Sequence, residues 1–240
     1  MHRFENAKVL LTGGGSGIGR ATALRLAAEG ATVFSVDVDH SGLPETGRIL
    51  PHQADVSDET AVSAAVREAA TALGGLDVVV NVAGIHRTTP IAELTVEDLR
   101  RLYDVNLIGT ALCCREALPH LPDGRGVIVN VSSSSATHGN PYMTAYAASK
   151  AAVLGFSLSL AAEVIGRGVR VVVVSPGTVA TPLVGEHVLA GLDTSYYSRI
   201  RSPMGAAEPD QIAATIAFAA SADAGYLTGT EIRVDGGSHV

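Results

Sequence analysis

The stretch KVLLTGGGSGIGRATALRLAAEGATVFSVD, residues 8–37, reads as a strand, a glycine-rich turn, a helix and a second strand. Both strand segments are apolar on both faces, which is typical of parallel strands covered by helices on either side. The segment between them is rich in Ala and Leu, residues that favour helix. The stretch therefore predicts a right-handed βαβ unit at the start of an open parallel sheet.

The same alternation of strand and helix continues along the chain. Further strands are predicted at 76–84, 126–132, 169–175 and 231–237, with a weaker candidate at 48–54. Helices are predicted at 58–73, at 96–118 after a capping-box pair of Thr95 and Asp98, around Tyr146, and from Pro209 to Phe218. We expect an α/β fold in one domain, residues 1–240: a doubly wound (Rossmann) parallel sheet of seven strands, helices on both faces. Residues 181–205 lack this periodicity and are predicted to be a loop or short-helix insertion that acts as a lid.

Composition excludes several classes of protein. The net charge of −7 and the lack of a Lys/Arg-rich run argue against binding nucleic acid or an anionic membrane surface. No uninterrupted apolar run reaches ~18 residues, and the first residues do not resemble a signal peptide, so a cytoplasmic protein is expected. The two cysteines, Cys113 and Cys114, are adjacent, which suits packed helix residues better than a disulfide or a metal site.

The glycine turn is a candidate phosphate-binding site. Its frame is Gly13, Gly17 and Gly19, with Ser16 and Ile18 between them, at the junction of the first strand and first helix. Free backbone amides and the positive end of a helix dipole favour a phosphate there, and glycines allow its close approach. A purely structural turn is the alternative. The position predicts a bound dinucleotide.

The ends of the next strands supply further candidates for the same ligand. Asp37 ends the second strand eighteen residues after Gly19, where a carboxylate accepts from the adenosine ribose hydroxyls; the alternative is an ordinary surface aspartate. Ligands of open α/β sheets bind at the carboxyl edge. Further candidates at that edge follow the third and fourth strands: Asp55 and Val56, then Asn81, Ala83 and Gly84.

Tyr146 and Lys150 lie four residues apart on a predicted helix, so both side chains share one face. Taken with the motifs Thr12-Gly13-x3-Gly17-x-Gly19, Asn81-x-Ala83-Gly84 and Pro176-Gly177 followed by Thr181, this pair makes the chain resemble the short-chain dehydrogenase/reductase family. The resemblance extends over nearly the whole chain, to Asp235-Gly236-Gly237. Val82, Val172 and Ser175 depart from asparagines that are frequent in the family.

The resemblance implies a role for each matching residue. Tyr146 is the general acid and base, and Lys150 also bonds the nicotinamide ribose. Ser133, thirteen residues before Tyr146, holds the substrate oxygen, with Ser132 as the alternative by one residue of register. Asn106 holds a water that links Lys150 to solvent, or is a mid-helix asparagine bonded to backbone. The remaining residues lie under the nicotinamide or reach its carboxamide: Pro176, Gly177, Val179 and Thr181.

Coulombic attraction gives a reason for a lysine to stand beside the tyrosine. A free phenol has a pKa near ~10. An ammonium ~4 Å away at an effective dielectric of ~20 favours the phenolate by roughly 4 kcal/mol, or about 3 pKa units. We therefore expect the pKa of Tyr146 to lie near ~7, where proton transfer is efficient.

The resulting hypothesis is an NAD(H)-dependent oxidoreductase that interconverts a secondary alcohol and a ketone. NAD is expected over NADP because Asp37 and Val38 place no cation near the ribose, and because Arg20 is expected to point toward the pyrophosphate or solvent. A homotetramer is expected from the apolar helices, with a dimer as fallback. The predicted substrate pocket, suited to a neutral, moderately apolar molecule, comprises His86, Ser135, His138, Tyr142, Met143 and residues 183–197.

Three alternatives stay open. A reductase of carrier-bound 3-oxoacyl groups would use Arg125 and Arg167 to face an acidic carrier. A non-catalytic NAD sensor would keep the fold without needing Ser133, Tyr146 and Lys150 together. A sugar-nucleotide epimerase would need an added substrate domain, for which this chain looks too short.

Overall fold

The computed structural model describes residues 2–44, 46–181 and 191–238. These residues form one parallel sheet of seven strands in the order β3-β2-β1-β4-β5-β6-β7. The predicted doubly wound α/β fold is therefore confirmed. The order reverses between β1 and β4, and this is where such sheets bind ligands. The strands are β1 (Lys8–Thr12), β2 (Thr32–Asp37), β3 (Ile49–Gln53), β4 (Val78–Asn81), β5 (Val127–Val131), β6 (Arg170–Pro176) and β7 (Thr230–Val234).

Helices cover both faces of the sheet, as the apolar strands require. Two of them, α1 and α6, pack together on one face, while α2, α4 and α5 cover the other. Each face buries its own apolar core, so β1, β4, β5 and β6 are almost free of solvent contact. The helices are α1 (Gly17–Ala28), α2 (Glu59–Leu73), α3 (Val96–Tyr103), α4 (Gly109–Ala117), α5 (Thr144–Val164) and α6 (Pro209–Ala220).

The predicted helix at 96–118 is interrupted in the structure. Its start is confirmed, because Thr95 and Asp98 form a reciprocal capping box. Between α3 and α4, however, residues Asp104–Ile108 form one π-helical turn. Asn106 lies in this turn and bonds backbone outside its own helix, which keeps the turn from closing regularly.

Part of the predicted lid is described, and part of it, residues 182–190, lies outside the described residues. Ser195–Arg199 form a short 3₁₀ helix. Two tyrosines join this segment to the loop before α5: Tyr197 Oη donates to the carbonyl of Pro141 at 2.6 Å, and Tyr142 Oη donates to the carbonyl of Asp193 at 3.2 Å. The segment is therefore held beside the start of α5.

The helix α5 is long and apolar, and with its 3₁₀ extension to Arg167 it has the length and composition of a membrane-spanning helix. It packs against β5 and β6, and Tyr146 and Lys150 on it are both buried. Within the apolar window of this helix 33% is buried inside the chain, and the buried side includes the one that packs against β5 and β6.

Candidate active site

The glycine turn approaches the end of β4 very closely. A Cβ atom on Gly13 would lie 2.5 Å from the amide nitrogen of Ala83, and one on Gly19 would overlap the carbonyl oxygen of Gly13. Gly13 and Gly17 both have positive φ, which glycine adopts without strain. Larger residues would therefore force the β1 turn away from the sheet.

The amino end of α1 opens into a cleft beside this turn. Ser16 is its N-cap but makes no side-chain capping bond, whereas Asp58 and Thr95 cap the helices that they precede. The first amides of α1 are therefore available to a phosphate, which is the fit expected for a dinucleotide. The cleft is lined by these predicted residues: Gly13, Ser16, Gly17, Ile18, Gly19, Asp37, Asp55, Val56, Ala83, Gly84 and Thr181.

Asp37 is fixed in place at the end of β2. Its Oδ2 accepts from the amide of Gly15 at 2.8 Å, and its Oδ1 accepts from the amide of Asp39 at 3.1 Å. The carboxylate therefore joins the glycine turn to the loop after β2. Arg20 was expected to point toward the pyrophosphate or solvent. Its Nε instead donates to the carbonyl of Gly42 in the loop after β2, and the residue does not line the cleft.

Asp55 also lines the cleft, at the end of β3. Its carboxylate accepts from the backbone and hydroxyl of Ser57 and lies 3.6 Å from Arg101. The Ser57 hydroxyl is the main cause of a lowered pKa for Asp55. The acid is therefore ionised at neutral pH and holds the loop that leads into α2.

The structure places Asn81 away from the cleft. Its Nδ2 donates to Asn130 Oδ1 at 2.8 Å and contacts Cys114 Sγ, and Asn130 Nδ2 donates in turn to Ser157 Oγ at 2.8 Å. All four residues are buried. This network joins β4 and β5 to α4 and α5, so the side chain of Asn81 supports the sheet that carries the site.

Ser133, Tyr146 and Lys150 converge on a pocket that continues from the cleft. The Ser133 side chain interacts with the Tyr146 phenol. Lys150 Nζ donates to the carbonyl of Val131, the last residue of β5, at 3.0 Å. Ile18, Gly84 and Thr181 line both spaces, so a ligand can extend from the glycine turn to Tyr146.

The expected lowering of the Tyr146 pKa is not what the structure shows. Burial raises the pKa of this phenol, and the Ser133 side chain opposes that effect only in part. Burial also lowers the pKa of Lys150, to about 8. The attraction between the ammonium and the phenolate is opposed by the cost of removing both charges from water. The spacing of Tyr146 and Lys150 in the sequence gives no measure of that cost.

Asn106 is wholly buried, and its side chain is satisfied by hydrogen bonds within the protein. Its Oδ1 accepts from the amide of Ile85, and its Nδ2 donates to the carbonyl of Ile85 and to Ser149 Oγ. A Cβ on Gly84 would lie 3.1 Å from Asn106 Oδ1 and 3.2 Å from Lys150 Nζ. Asn106 therefore joins the π-helical turn to α5 behind Lys150, while the water role stays a prediction.

The residues after β6 form the remaining wall of the pocket. Pro176, Gly177, Val179 and Thr181 all line it, and their predicted contacts with a nicotinamide stay a prediction. A Cβ on Gly17 would lie 3.0 Å from Thr181 Cγ2, so Thr181 lies against the glycine turn at the place where the cleft continues into the pocket.

The comparisons with known proteins agree with this geometry. A family model described as Enoyl-(Acyl carrier protein) reductase matches residues 13–239. The chain is 38% identical to meso-2,3-butanediol dehydrogenase of Serratia marcescens, covering 98% of this chain and 96% of that protein. It is also 38% identical to 3-oxoacyl-[acyl-carrier-protein] reductase FabG of Thermotoga maritima, covering 98% of each.

A solved structure shows the same fold. The chain superposes on a short-chain dehydrogenase of Burkholderia cenocepacia in complex with NADP with a TM-score of 0.89, at 34% identity, covering 99% of this chain and 100% of that one. The chain belongs to the short-chain dehydrogenase/reductase family.

The pocket beside Tyr146 contains some of the residues predicted to line a substrate pocket. His86, Ser135, Met143 and Tyr197 line it as predicted, whereas His138 and Tyr142 do not. Arg233 Nη1 lies 2.8 Å from His138 Nε2, so this ring faces β7. Sequence reasoning did not name six residues that line this pocket: Ile85, Val131, Asn140, Ile200, Arg201 and Ser238.

Two arginines that were candidates for binding an acyl carrier lie at the wrong edge of the sheet. Arg125 precedes β5 and lies 3.7 Å from Asp77, while Arg167 precedes β6 and bonds Asp123 at 2.8 Å. The pocket lies at the carboxyl ends of these strands. In this family member the two arginines therefore stabilise loops at the opposite, amino edge.

Proposed function

We propose that this chain is an NAD(H)-dependent oxidoreductase that interconverts a secondary alcohol and a ketone, with Tyr146 as the general acid and base. Family membership supports the coarser part, an oxidoreductase acting on a CH–OH group. The observation that carries the proposal is the meeting of Ser133, Tyr146 and Lys150 at the wall of a pocket that opens into the glycine cleft.

Each of these residues would have a distinct chemical task. Tyr146 gives its phenolic proton to the oxygen of a ketone during reduction and takes it back during oxidation. The Ser133 hydroxyl donates a hydrogen bond to that oxygen as negative charge develops on it. Lys150, mostly protonated at neutral pH because its pKa is about 8, favours the phenolate that each turnover requires.

A nicotinamide, when bound, supplies or accepts the hydride. We propose that the uncapped amides at the start of α1 hold its pyrophosphate and that Asp37 accepts from the adenosine ribose. Pro176, Gly177, Val179 and Thr181 would hold the nicotinamide end next to Tyr146. These residues orient the reacting groups and exclude water from them.

The choice of NAD over NADP rests on Asp37. Both carboxylate oxygens accept from backbone amides, so the negative charge cannot turn away from the cleft. A 2′-phosphate beside it would cost roughly 2–4 kcal/mol, or about 30- to 1,000-fold in affinity. One solved relative is described in complex with NADP, so family membership alone does not select NAD. The preference for NAD is therefore argued from Asp37 at the end of β2.

A panel of secondary alcohols and ketones, followed by NADH absorbance, tests the proposal. We expect turnover of some members by the wild type, with kcat/KM lower by more than about 100-fold in Tyr146→Phe. Tight NADH binding without turnover of any alcohol or ketone would instead favour the alternative of a non-catalytic sensor.

A reductase of carrier-bound 3-oxoacyl groups is the second candidate, supported by the match to the Thermotoga maritima reductase. Arg125 and Arg167 lie at the edge of the sheet opposite the pocket, so they do not provide a positively charged surface for an acidic carrier beside it. The same assay with an acetoacetyl group on a carrier protein and on a simple thiol decides the matter. A carrier reductase would prefer the carrier-bound form by more than about tenfold in kcat/KM.

The domain organisation, the oligomeric state and the cellular location are also proposals or predictions. We propose that residues 1–240 act as one domain and assemble as a homotetramer, with a dimer as fallback. Exposed apolar side chains support this, among them Ile108 before α4 and Leu158 on α5. The cytoplasmic location expected from the sequence stays a prediction.

A further inference from the structure

Arg201 lines the same pocket as Tyr146 and Lys150. It belongs to the wall formed by the described part of the predicted lid, to which Tyr197 and Ile200 also contribute. A molecule in this pocket is therefore bounded by the proposed acid and base and by the segment that carries Arg201.

The backbone around Arg201 is fixed on both sides. Its amide donates to the carbonyl of Tyr197 at 3.0 Å, and Tyr197 Oη donates in turn to the carbonyl of Pro141 at 2.6 Å. On the other side, the buried Ser202 donates from Oγ to the carbonyl of Gly236 at 2.7 Å. The segment is thus tied both to the loop before α5 and to the residues after β7. A binding group on an ordered segment loses less conformational entropy when its ligand arrives.

The Arg201 guanidinium has no counter-ion within the described part of the chain. None of the described residues forms an ion pair or a hydrogen bond with it, whereas Arg167 bonds Asp123 at 2.8 Å. The described residues that line the pocket include no Asp or Glu, while Lys150 adds a second cation. A pocket lined by charges of one sign attracts a ligand of the opposite sign.

We infer that Arg201 is a specificity-determining residue that binds a carboxylate of the substrate, placed away from the carbon that gains or loses the hydride. This inference rests on the proposed function, and it narrows the substrate class to oxo acids and the hydroxy acids formed from them. A neutral substrate was expected from the sequence, but the residues named for that pocket ended at residue 197 and did not include Arg201.

The chemistry of arginine supports a carboxylate. Its planar guanidinium presents two parallel N–H groups that match the two oxygens of one carboxylate. Arg201 is also exposed, so water solvates its charge when the pocket holds no substrate. The same exposure makes the pair with a carboxylate weaker than a buried one, and sensitive to salt.

The test compares oxo acids with their methyl esters, which have the same ketone and no charge. The acids are 3-oxobutanoate, 4-oxopentanoate and 5-oxohexanoate, and the series varies the separation between ketone and carboxylate. Arg201→Met removes the charge from a side chain of similar length, and Arg201→Lys keeps the charge without the planar fork. Arg199→Met is the matched control, because Arg199 ends the 3₁₀ helix Ser195–Arg199, is exposed and does not line the pocket.

We expect the wild type and Arg199→Met to prefer the acid of the best-accepted pair over its ester by at least about fivefold in kcat/KM. In Arg201→Met this preference should fall by roughly 5- to 50-fold, mainly through a higher KM for the acid. Arg201→Lys should keep part of the preference. Added salt should raise the wild-type KM for the acid more than that for the ester.

A preference for the acid that survives Arg201→Met would overturn the inference and leave the proposed function standing. Equal losses on acid and ester would also overturn it, because Arg201 would then act on the cofactor or the fold. So would a wild type that prefers the esters, or that reduces other ketones but none of these acids. Failure of the wild type to reduce any ketone with NADH or NADPH would overturn the proposed function, and the inference with it.

Discussion

The Ser132 hydroxyl donates a 2.8 Å hydrogen bond to the backbone carbonyl of Lys150, which joins the end of β5 to α5 beside the pocket. Successive side chains of an extended chain point to opposite sides. The next residue, Ser133, therefore directs its hydroxyl toward Tyr146 instead. The two candidate serines thus differ in what they contact, and the contacts of Ser133 are the ones that suit a reacting group.

Replacement of Tyr146 by Phe removes only the hydroxyl. Because proton transfer by a positioned group contributes ~10²–10⁴-fold, kcat/KM should fall by more than about 100-fold while NADH affinity and thermal stability stay near wild type. The control is Tyr226→Phe, which alters a fully exposed tyrosine. Retention of more than about a tenth of wild-type kcat/KM would exclude Tyr146 as the proton donor.

Replacement of Lys150 by Met should shift the pH dependence of alcohol oxidation. Oxidation needs the phenolate, and burial raises the pKa of Tyr146, so the rate rises with pH. Losing the Lys150 charge removes a stabiliser of the phenolate, so this rising limb should move to higher pH and NAD affinity should fall. Lys8→Met, at the chain's other lysine, is the control. If the rising limb of the pH–rate profile stays at the same pH in Lys150→Met, Lys150 does not stabilise the phenolate electrostatically.

Replacing Ser132 and Ser133 separately by Ala should show which of the two serines takes part in the reaction. Ser133→Ala removes an interaction that lowers the pKa of Tyr146, so kcat should fall and the rising limb should move to higher pH. Ser132→Ala removes the bond to the Lys150 carbonyl and should cost about 1 kcal/mol in the free energy of unfolding, with a smaller effect on kcat. The reverse pattern would make Ser132 the reacting serine.

Cofactor preference tests the position of Asp37. The kcat/KM for NAD should exceed that for NADP by at least about tenfold, because the fixed carboxylate repels a 2′-phosphate. Asp37→Asn neutralises the charge yet keeps an oxygen for the Gly15 amide, and it should shrink the preference. Arg20→Ala, outside the cleft, should leave it unchanged. Equal values for both cofactors in the wild type would show that Asp37 does not face the ribose.

The oligomeric state follows from the apolar surface of the helices. Light scattering at micromolar concentration should give a mass near four times the 24.5 kDa of one chain. Leu158→Glu places a charge on the outer side of α5 and should yield smaller species if this face is an interface. Tyr226→Glu offers an exposed aromatic position outside α5 for comparison. A wild-type monomer would contradict the proposal.

The alternation of strands and helices could be predicted from the sequence because each element has its own local pattern. The strand at β1, the glycine turn and the helix α1 follow directly from residues 8–28, and the capping box of Thr95 and Asp98 is a local signal. The π-helical turn at Asp104–Ile108 could not be foreseen. It depends on hydrogen bonds between Asn106 and two residues distant in sequence: Asn106 Oδ1 accepts from the Ile85 amide, and Asn106 Nδ2 donates to Ser149 Oγ.

The spacing of Tyr146 and Lys150 alone placed both side chains on one face of a helix, because helical geometry is local. Only the tertiary structure decided their chemistry. Tyr146 is buried among Leu102 on α3 and neighbours such as Ile85 and Met143, and Lys150 is buried with its Nζ on the end of β5. This burial raises the pKa of the phenol and lowers that of the ammonium. The same surroundings set the His86 ring edge-on against the Tyr146 ring. Burial depends on all the elements that surround a residue, so it cannot be predicted from a short sequence motif.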